Sequence, residues 1–272
     1  MTSNSPQIVI TGVASGIGKE TAQLMNSQGY HVIGVDRAPV EDFAGTFIQG
    51  DLAELEGINK IAENIRQTAP EGISGLANIA GVPGTAPAEV VLKINVFGVR
   101  ELIQTVRPQL QRGSAIVNLA SAVAYQWRDS KTQVAEFALA TDRQQALTEA
   151  LADDHIVGHS YLFSKQCVSL LSEYFAAEFI ADGIRVNSVS PGPVETPILE
   201  DFKNDHGRDK VNSAAATLGR FGAPADIAQT IAYLFSPEAA WVNGTDLRVD
   251  GGLTAYRETM QFRDGAQSRV QA

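Results

Sequence analysis

The sequence predicts an α/β fold in which a doubly wound parallel sheet carries helices on both faces. Short β-branched runs alternate with amphipathic stretches along most of the chain, as is typical of strands buried between two helical layers. A glycine-rich turn closes the first run and opens the first helix. With no repeat or linker in view, we expect one domain over residues 1–272, with ligands bound beyond the carboxyl ends of the strands.

The predicted elements follow one another in regular order. Strands are predicted where β-branched residues cluster, at 7–11, 30–36, 46–49, within 73–79, 115–120, 184–189 and 246–249. Helices are predicted where apolar residues recur at helical spacing, at 17–28, 54–68, 96–110, 161–181 and 224–235. The polar stretch 263–272 is expected to be frayed.

Composition excludes several classes of function. The 272 residues include 21 Lys and Arg against 31 Asp and Glu, a net charge of −10, and an acidic chain is not expected to bind nucleic acid. The longest apolar run, Ile231 to Phe235, is too short to cross a membrane. No secretory signal is recognisable, and a single cysteine, Cys167, fits a reducing compartment. We therefore expect a cytoplasmic protein with neither a membrane nor a nucleic-acid partner.

The first turn has the composition of a loop that binds the phosphates of a dinucleotide. Its glycines follow the pattern G-x-x-x-G-x-G over residues 12–18. Gly12 permits a tight turn, Gly16 lets the backbone approach a pyrophosphate, and Gly18 lets the helix pack closely on the sheet. The N–H groups of the helix N-terminus then face the phosphates. The residues expected to bind here are Gly12, Ser15, Gly16, Ile17 and Gly18.

Asp36, at the end of the second predicted strand, is expected to select the cofactor. A carboxylate there accepts hydrogen bonds from the adenosine ribose and repels a 2′-phosphate, which favours NAD(H) over NADP(H). Arg37 leaves NADP(H) open as an alternative, because a guanidinium pairs with such a phosphate. The other residues expected to line the cofactor follow the third and fourth strands: Asp51, Leu52, Asn78, Ala80 and Gly81.

Together with further motifs, these features resemble the short-chain dehydrogenase/reductase family from about residue 7 to 253. The motifs are the segment 78–81, Asn95, Ser121, Tyr161-x-x-x-Lys165, the segment 191–194 and the segment 250–252. The family fold is a single Rossmann-type domain that binds NAD(P)(H). The resemblance implies a catalytic tetrad of Asn95, Ser121, Tyr161 and Lys165. It also implies cofactor contacts from Pro191, Gly192, Val194 and Thr196, although a threonine there also suits a turn cap.

The chemistry of these residue types agrees with that tetrad. Tyr161 and Lys165 are four residues apart on a predicted helix and share one face. A phenol with a pKa of about 10 is a poor base at neutral pH, and a nearby ammonium stabilises the phenolate. Tyr161 would exchange a proton with the substrate oxygen, while Ser121 holds that oxygen. The family pattern gives Asn95 a water that relays protons to Lys165. No histidine shows metal-ligand spacing, and hydride transfer needs no metal.

Ser121 and Tyr161 are separated by a gap of 40 residues, so residues 127–158 look like an insertion. It holds two helical stretches, at about 132–140 and 143–153. Three aromatic residues in or just before the insertion either wall the substrate pocket or pack the insertion onto the body: Tyr125, Trp127 and Phe137. We expect a homodimer or homotetramer. Because the insertion leads into the Tyr161 helix, which many family members use for subunit contacts, we also expect a different dimer contact or a smaller oligomer. Trp241 is expected near the last strand or at such a contact.

Within the family, the insertion is similar to that of bacterial 3α-hydroxysteroid dehydrogenase/carbonyl reductases. The segments 78–85, 191–199 and 241–244 look closer to bacterial coniferyl alcohol dehydrogenases. Both subgroups imply a small-molecule substrate that is a bulky hydrophobic alcohol or carbonyl compound. The segment 192–221 has the position of the family's mobile substrate loop. Its apolar residues either close over the substrate or pack the loop onto its own domain: Ile198, Leu199, Phe202, Leu218 and Phe221.

The sequence thus predicts an NAD(H)-dependent alcohol dehydrogenase or carbonyl reductase. One alternative is an NADP(H)-linked ketone reductase. Another is a catalytically silent, dinucleotide-sensing regulatory or scaffold protein on the same fold. Such a protein is expected to have lost Ser121, Tyr161 or Lys165, and this chain retains all three.

Overall fold

The parallel sheet of the computed structural model has the strand order β3-β2-β1-β4-β5-β6-β7. The structure describes residues 5–270, except the side chains of residues 205, 206, 210 and 264–270. The strands are β1 (Gln7–Thr11), β2 (His31–Asp36), β3 (Thr46–Gln49), β4 (Ile73–Asn78), β5 (Leu110–Leu119), β6 (Arg185–Pro191) and β7 (Asp246–Val249). Every neighbouring pair is parallel, which confirms the predicted sheet.

Helices cover both faces of this sheet. They are α1 (Gly16–Ser27), α2 (Leu55–Thr68), α3 (Ala88–Leu92), α4 (Val99–Val106), α5 (Lys131–Ala138), α6 (Arg143–Leu151), α7 (Asp154–Gly158), α8 (Ser160–Glu178), α9 (Leu199–His206), α10 (Arg208–Leu218), α11 (Pro224–Phe235) and α12 (Leu253–Val270). One buried cluster joins the sheet to α2, α4 and α8, and a second joins it to α1 and α11. The two clusters are the two helical layers of a doubly wound fold.

The strand order reverses between β1 and β4, and their carboxyl ends flank a crevice. Thr11, the last residue of β1, holds the two ends together. Its hydroxyl oxygen accepts hydrogen bonds from the backbone N–H groups of Ile79 and Ala80, both at 3.0 Å. This contact fixes the position of the glycine-rich turn beside the end of β4.

The predicted helix 96–110 is wrong in its bounds. The chain instead forms α3, a π-helical segment from Lys93 to Gly98, and then α4. Pro108 lies two residues after the end of α4, and the residue before a proline is disfavoured in the helical conformation. The strand that follows therefore begins at Leu110, five residues earlier than the predicted 115.

The stretch 263–272, expected to be frayed, is helical as far as Val270, where α12 ends; residues 271–272 lie outside the described part. Asp250 organises the start of this helix. Its carboxylate accepts hydrogen bonds from the N–H groups of Gly252 and Thr254, both at 2.9 Å, as a capping side chain does. The remaining helix and strand bounds agree with prediction to within three residues.

Residues 127–158 form a 3₁₀ turn and the helices α5, α6 and α7, the last of which was not predicted. Trp127 and Phe137 are buried and pack this segment onto the body. The Phe137 ring lies 5.0 Å from that of Phe97 and 5.3 Å from that of Phe163. Packing, rather than a place in the pocket wall, is therefore the role of these two side chains.

A buried cluster of charges joins the same segment to α4. Arg100 donates to two carbonyl oxygens at the end of α5, at 3.0 and 2.8 Å. Arg143 of α6 donates to the Glu101 carboxylate at 2.9 Å and to the carbonyl oxygen of Ala53. Glu101 also contacts Arg100 at 3.5 Å. The Glu101 carboxylate thus forms ion pairs with two guanidinium groups, and its side chain is only 9% exposed.

Glu101→Gln is expected to lower the free energy of unfolding by about 3 kcal/mol, because it leaves the buried Arg100 guanidinium without its anion. Arg143 keeps only the more distant Glu54 carboxylate, at 3.9 Å. Glu89→Gln is the matched control, since Glu89 pairs with Lys93 on the surface at 2.8 Å and an exposed pair contributes less than about 1 kcal/mol. Urea denaturation measures both variants. Equal losses would contradict the role of Glu101.

Candidate active site

Two adjoining cavities lie at the carboxyl ends of the strands. The turn cavity, of about 290 Å³, lies between the glycine-rich turn and Asp36. The tyrosine cavity, of about 700 Å³, lies over Tyr161 and Ser121. Ile17 and Thr196 are among the residues that line both, so the two cavities are continuous.

The glycine-rich turn has no room for side chains at two of its positions. Gly12 has a φ of +80°, and a Cβ there would lie 2.9 Å from the backbone of Ala80. A Cβ on Gly18 would lie 2.1 Å from the carbonyl oxygen of Gly12. At Gly16 the nearest atom to a Cβ would be in Thr196, at 3.1 Å. The turn therefore presents bare backbone to the cavity at the N-terminus of α1, which suits an anionic phosphate.

Asp36 is held at the rim of the turn cavity by backbone donors. One carboxylate oxygen accepts from the N–H of Ala14 and the other from the N–H of Ala38, both at 2.9 Å. A carboxylate oxygen has two lone pairs, so each keeps one for a further donor. Arg37 is exposed and lines the same cavity.

Most of the predicted cofactor residues line the turn cavity: Gly12, Ser15, Gly16, Ile17, Gly18, Asp36, Asp51, Leu52, Ala80, Gly81 and Thr196. Pro191, Gly192 and Val194 line the tyrosine cavity. Asn78 lines neither one. It is 2% exposed, and its amide donates to the Asn118 side chain at 2.8 Å, inside the sheet.

Tyr161 and Lys165 share one face of α8 and both line the tyrosine cavity. The Lys165 ammonium lies 5.6 Å from the centre of the Tyr161 ring. It donates to the carbonyl oxygen of Leu119 at the end of β5, at 2.8 Å, and keeps two further N–H donors. Burial lowers the pKa of Lys165 from 10.5 to about 8.

Ser121 follows the end of β5 and lines the same cavity, where it is 7% exposed. Its hydroxyl oxygen accepts a long hydrogen bond of 3.5 Å from the N–H of Val123. The structure therefore brings three of the four predicted catalytic side chains, Ser121, Tyr161 and Lys165, to one cavity.

Asn95 lies in the π-helical segment and lines neither cavity. Its amide donates to the Val82 carbonyl at 3.0 Å and to the Ser164 hydroxyl at 3.1 Å, and its oxygen accepts from the N–H of Val82 at 2.9 Å. A Cβ on Gly81 would lie 3.1 Å from this oxygen and 3.6 Å from the Lys165 ammonium. Asn95 thus lies against Gly81 without lining either cavity. Its π-helical segment is a conformation that is frequent at functional sites.

The segment 192–221 supplies part of the cavity wall. Phe202 of α9 packs edge-on against the Tyr161 ring, with the ring centres 4.8 Å apart, and Ile198 lines the cavity beside it.

The other three apolar residues predicted in this segment do not line this cavity. Leu199 is buried, and Leu218 lies beside Gly251. Phe221 does not line the cavity and carries the Lys203 ammonium over its ring. Some of the five predicted residues thus line the cavity, and others pack elsewhere. Tyr125 also lines the cavity and is 37% exposed.

Sequence reasoning missed one entire wall of the tyrosine cavity. Helix α12 contributes Leu253, Thr254, Arg257, Glu258 and Gln261. Their spacing of i, i+1, i+4, i+5 and i+8 is a helical face, but the face is mostly polar and therefore lacks the apolar signal of a buried helix. Thr11 was also missed, although it stands within the glycine-rich segment.

The fold and this cavity define a nicotinamide-dependent dehydrogenase, and comparison with known proteins agrees. Residues 6–133 match the profile described as short chain dehydrogenase, and residues 154–254 match the one described as Enoyl-(Acyl carrier protein) reductase. The chain belongs to the short-chain dehydrogenase/reductase family. It is an oxidoreductase that uses a nicotinamide dinucleotide.

Several relatives are similar over nearly the full length. The chain is 35% identical over 250 residues to a coniferyl-alcohol dehydrogenase from a Pseudomonas species, covering 92% of this chain and 96% of that one. It is 28% identical over 260 residues to the 3-alpha-hydroxysteroid dehydrogenase/carbonyl reductase of Comamonas testosteroni, covering 94% and 99%. The crystal structure of a Pseudomonas 3-alpha-hydroxysteroid dehydrogenase complexed with NADH superposes with a TM-score of 0.81 at 32% identity, covering 93% and 98%. The predicted family and fold are confirmed.

In the part of the chain that the structure describes, no helix is both long enough and apolar enough to span a bilayer.

The buried Lys165 predicts a specific pH dependence of stability in the cofactor-free protein. Between pH 8 and pH 10.5 the unfolded chain binds a proton at this lysine that the folded chain does not. This group therefore makes the free energy of unfolding rise with pH over that window. The stability of the wild type relative to Lys165→Met is expected to increase by about 3 kcal/mol from neutral pH to the top of the window.

Urea denaturation at a series of pH values measures this difference. Lys131→Met, which removes an exposed lysine, is the control for the loss of one surface charge. A difference between wild type and Lys165→Met that stays flat with pH would contradict the assignment.

Proposed function

We propose that this protein transfers a hydride between NAD(H) and a hydrophobic alcohol or carbonyl compound, of the aryl allylic alcohol or hydroxysteroid type. The observation that carries the proposal is the convergence of Ser121, Tyr161 and Lys165 on a cavity that continues into the turn cavity. The coenzyme, when bound, supplies the carbon that accepts or donates the hydride.

The residues of the turn cavity fit a dinucleotide. Ser15, Gly16 and Ile17 at the N-terminus of α1 line the turn cavity, where backbone N–H groups suit a pyrophosphate. Gly12 and Gly18 let the turn pack closely against Ala80 and against its own backbone. The free lone pairs of Asp36 are available to ribose hydroxyl groups, and its negative charge disfavours a 2′-phosphate. On this account NAD(H) is preferred. Arg37 at the same rim favours the NADP(H)-linked alternative, so the two residues oppose each other.

Tyr161 is the proposed general acid and base. In oxidation its phenolate takes the proton of the substrate hydroxyl, and in reduction its phenol returns one to the carbonyl oxygen. Ser121 hydrogen-bonds the same oxygen and orients it. The Lys165 ammonium favours the phenolate by its charge, and its two remaining N–H donors are available to the nicotinamide ribose. Asn95, through Val82 and Ser164, positions the segment that lies against Lys165.

The proposed substrate class rests on the cavity walls. Phe202, Ile198 and Tyr125 present apolar and aromatic surface around Tyr161, which suits a ring-bearing substrate. The relatives named above are described as acting on coniferyl alcohol and on 3-alpha-hydroxysteroids. The rival proposal, a silent dinucleotide sensor, does not account for the retention of Ser121, Tyr161 and Lys165 at one cavity.

Tyr161→Phe is expected to lower kcat at least ~1,000-fold, because it removes the proton-transferring hydroxyl. Coenzyme binding, followed by the quenching of protein fluorescence on adding NADH, is expected to change less than about threefold. The assay follows reduced nicotinamide absorbance with coniferyl alcohol, a 3α-hydroxysteroid and cyclohexanol as substrates. Turnover at the wild-type rate would refute the role of Tyr161. The absence of turnover in the wild type, with NADH bound, would favour the silent sensor.

Asp36→Asn is expected to reduce the ratio of kcat/KM with NAD to that with NADP by about tenfold, because it removes the charge that repels a 2′-phosphate. Arg37→Gln is the matched variant at the next position and is expected to raise the same ratio. A wild-type preference for NADP would overturn the proposed coenzyme.

We also propose a homodimer or homotetramer in the cytoplasm, a location that the single buried cysteine fits. Helix α5 packs over α8, and Arg143 of α6 contacts Glu101 of α4, so the contact is proposed to lie elsewhere. Trp241 does not pack beside β7, since it is 99% exposed, and an aromatic residue so placed suits a subunit contact. Sedimentation equilibrium is expected to give a dimer or tetramer, and Trp241→Ser a smaller species. A monomeric wild type would contradict this proposal.

A further inference from the structure

Helix α12 gives the tyrosine cavity a wall whose polarity changes along its length. Leu253 and Thr254 are buried at its start, and Arg257, Glu258 and Gln261 follow on the same face. At 1.5 Å per residue, Arg257 lies about 6 Å and Gln261 about 12 Å farther along the helix axis than Leu253. The cavity is therefore apolar around Tyr161 and carries charge on the outer part of this wall.

Arg257 is a cation without a partner in the described part of the chain. Its guanidinium makes no hydrogen bond or ion pair with any described residue, and the residue is exposed. The guanidinium groups of Arg100, Arg107 and Arg143, in contrast, each bind a carboxylate. Apart from Lys165, which the proposed proton transfer uses, it is the one permanently charged cation among the described residues of the cavity wall. A guanidinium has five donors and no acceptor, so its preferred ligand is an anion held by two parallel hydrogen bonds.

The charges around Arg257 bear on which ligand is selected. The chain as a whole has a net charge of −10, so an anionic ligand gains nothing from the overall field and needs a local cation. Glu258, the next residue on the same face, is half-buried and faces the same cavity. Its carboxylate repels an anion that reaches Arg257, so the two side chains act in opposite directions on a charged ligand and only weakly on a neutral one.

From these observations we infer that the outer part of the tyrosine cavity is a subsite for a carboxylate, and that Arg257 is the specificity-determining residue that binds it. The substrate class is then an amphipathic one, with a hydrophobic ring system that carries the reacting alcohol or carbonyl at Tyr161 and an anionic tail that reaches Arg257. The inference rests on the proposed function, since it concerns the far end of the same substrate. The volume of about 700 Å³ is within the range of about 300–1,000 Å³ typical of pockets for ligands of that size.

The test uses two probes that differ in charge and by one methyl group: lithocholate, a 3α-hydroxysteroid with a side-chain carboxylate, and its methyl ester. The ratio of kcat/KM for the acid to that for the ester is measured with NAD. The ratio of dissociation constants is measured by calorimetry on the NADH complex.

Arg257→Gln is expected to lower the preference for the acid over the ester about tenfold, and Arg257→Lys is expected to lower it less. Glu258→Gln is expected to raise it. Arg263→Gln removes the same charge from α12 at a residue that does not line the cavity, and is expected to leave it unchanged.

Ionic strength supplies a second readout. Raising salt from ~0.05 to ~0.5 M is expected to reduce the preference for the acid in the wild type and to have little effect in Arg257→Gln, because salt screens a charge pair at a cavity mouth.

The outcomes separate this inference from the proposed function. Oxidation of both probes with equal constants, or equal effects of Arg257→Gln and Arg263→Gln, would overturn the subsite and leave the dehydrogenase proposal intact. Binding of the acid that depends on Arg257, without oxidation of either probe, would support the subsite and count against the proposed reaction. Failure of the NADH complex to bind either probe would overturn the subsite and the hydroxysteroid class together.

Discussion

The hydrogen bond from the Lys165 ammonium to the Leu119 carbonyl is the contact on which the rest of the site depends. It ties the middle of α8 to the carboxyl end of β5, one helix to the central sheet, at 2.8 Å. Because Tyr161 is one turn earlier on α8 and Ser121 is two residues beyond Leu119, this single bond brings the two side chains to the same cavity. The ammonium is buried, and its pKa falls to about 8. The protein therefore keeps a costly charge where that charge can act on the tyrosine hydroxyl.

The second constraint is the close approach of the first turn to the end of β4. Thr11 accepts two backbone N–H groups from that end, and Gly12 passes so close to Ala80 that a side chain has no space. These contacts place the N-terminus of α1 next to the cavity that holds Tyr161. The turn cavity and the tyrosine cavity are thus adjacent because these contacts join the ends of β1 and β4, where the strand order reverses.

The short-range features of this arrangement could be predicted from the sequence. The glycine spacing, the run of β-branched strands and the Tyr161–Lys165 pair are short-range patterns, and the structure has each of them where it was expected. The inaccurate predictions depend on tertiary contacts. The π-helical segment from Lys93 to Gly98 crosses the start of the predicted helix 96–110. Tertiary contacts also decide what the sequence left open: Trp127 packs in the core rather than in the pocket wall. Asn78 donates to Asn118 inside the sheet. Helix α12 was not predicted because the face that lines the cavity is mostly polar. A polar helical face in a sequence looks like a solvent-exposed one, and only the folded structure shows that it lines a cavity.

The central claim is that a hydride passes directly between a substrate carbon and the nicotinamide in the cavity over Tyr161. It is tested most directly with a hydrophobic secondary alcohol deuterated at its carbinol carbon, turned over with unlabelled NAD and analysed by mass spectrometry of both products. The account predicts one deuterium on the reduced nicotinamide for each ketone formed. Ketone formed without deuterium on the nicotinamide, with the label lost to water, would contradict it.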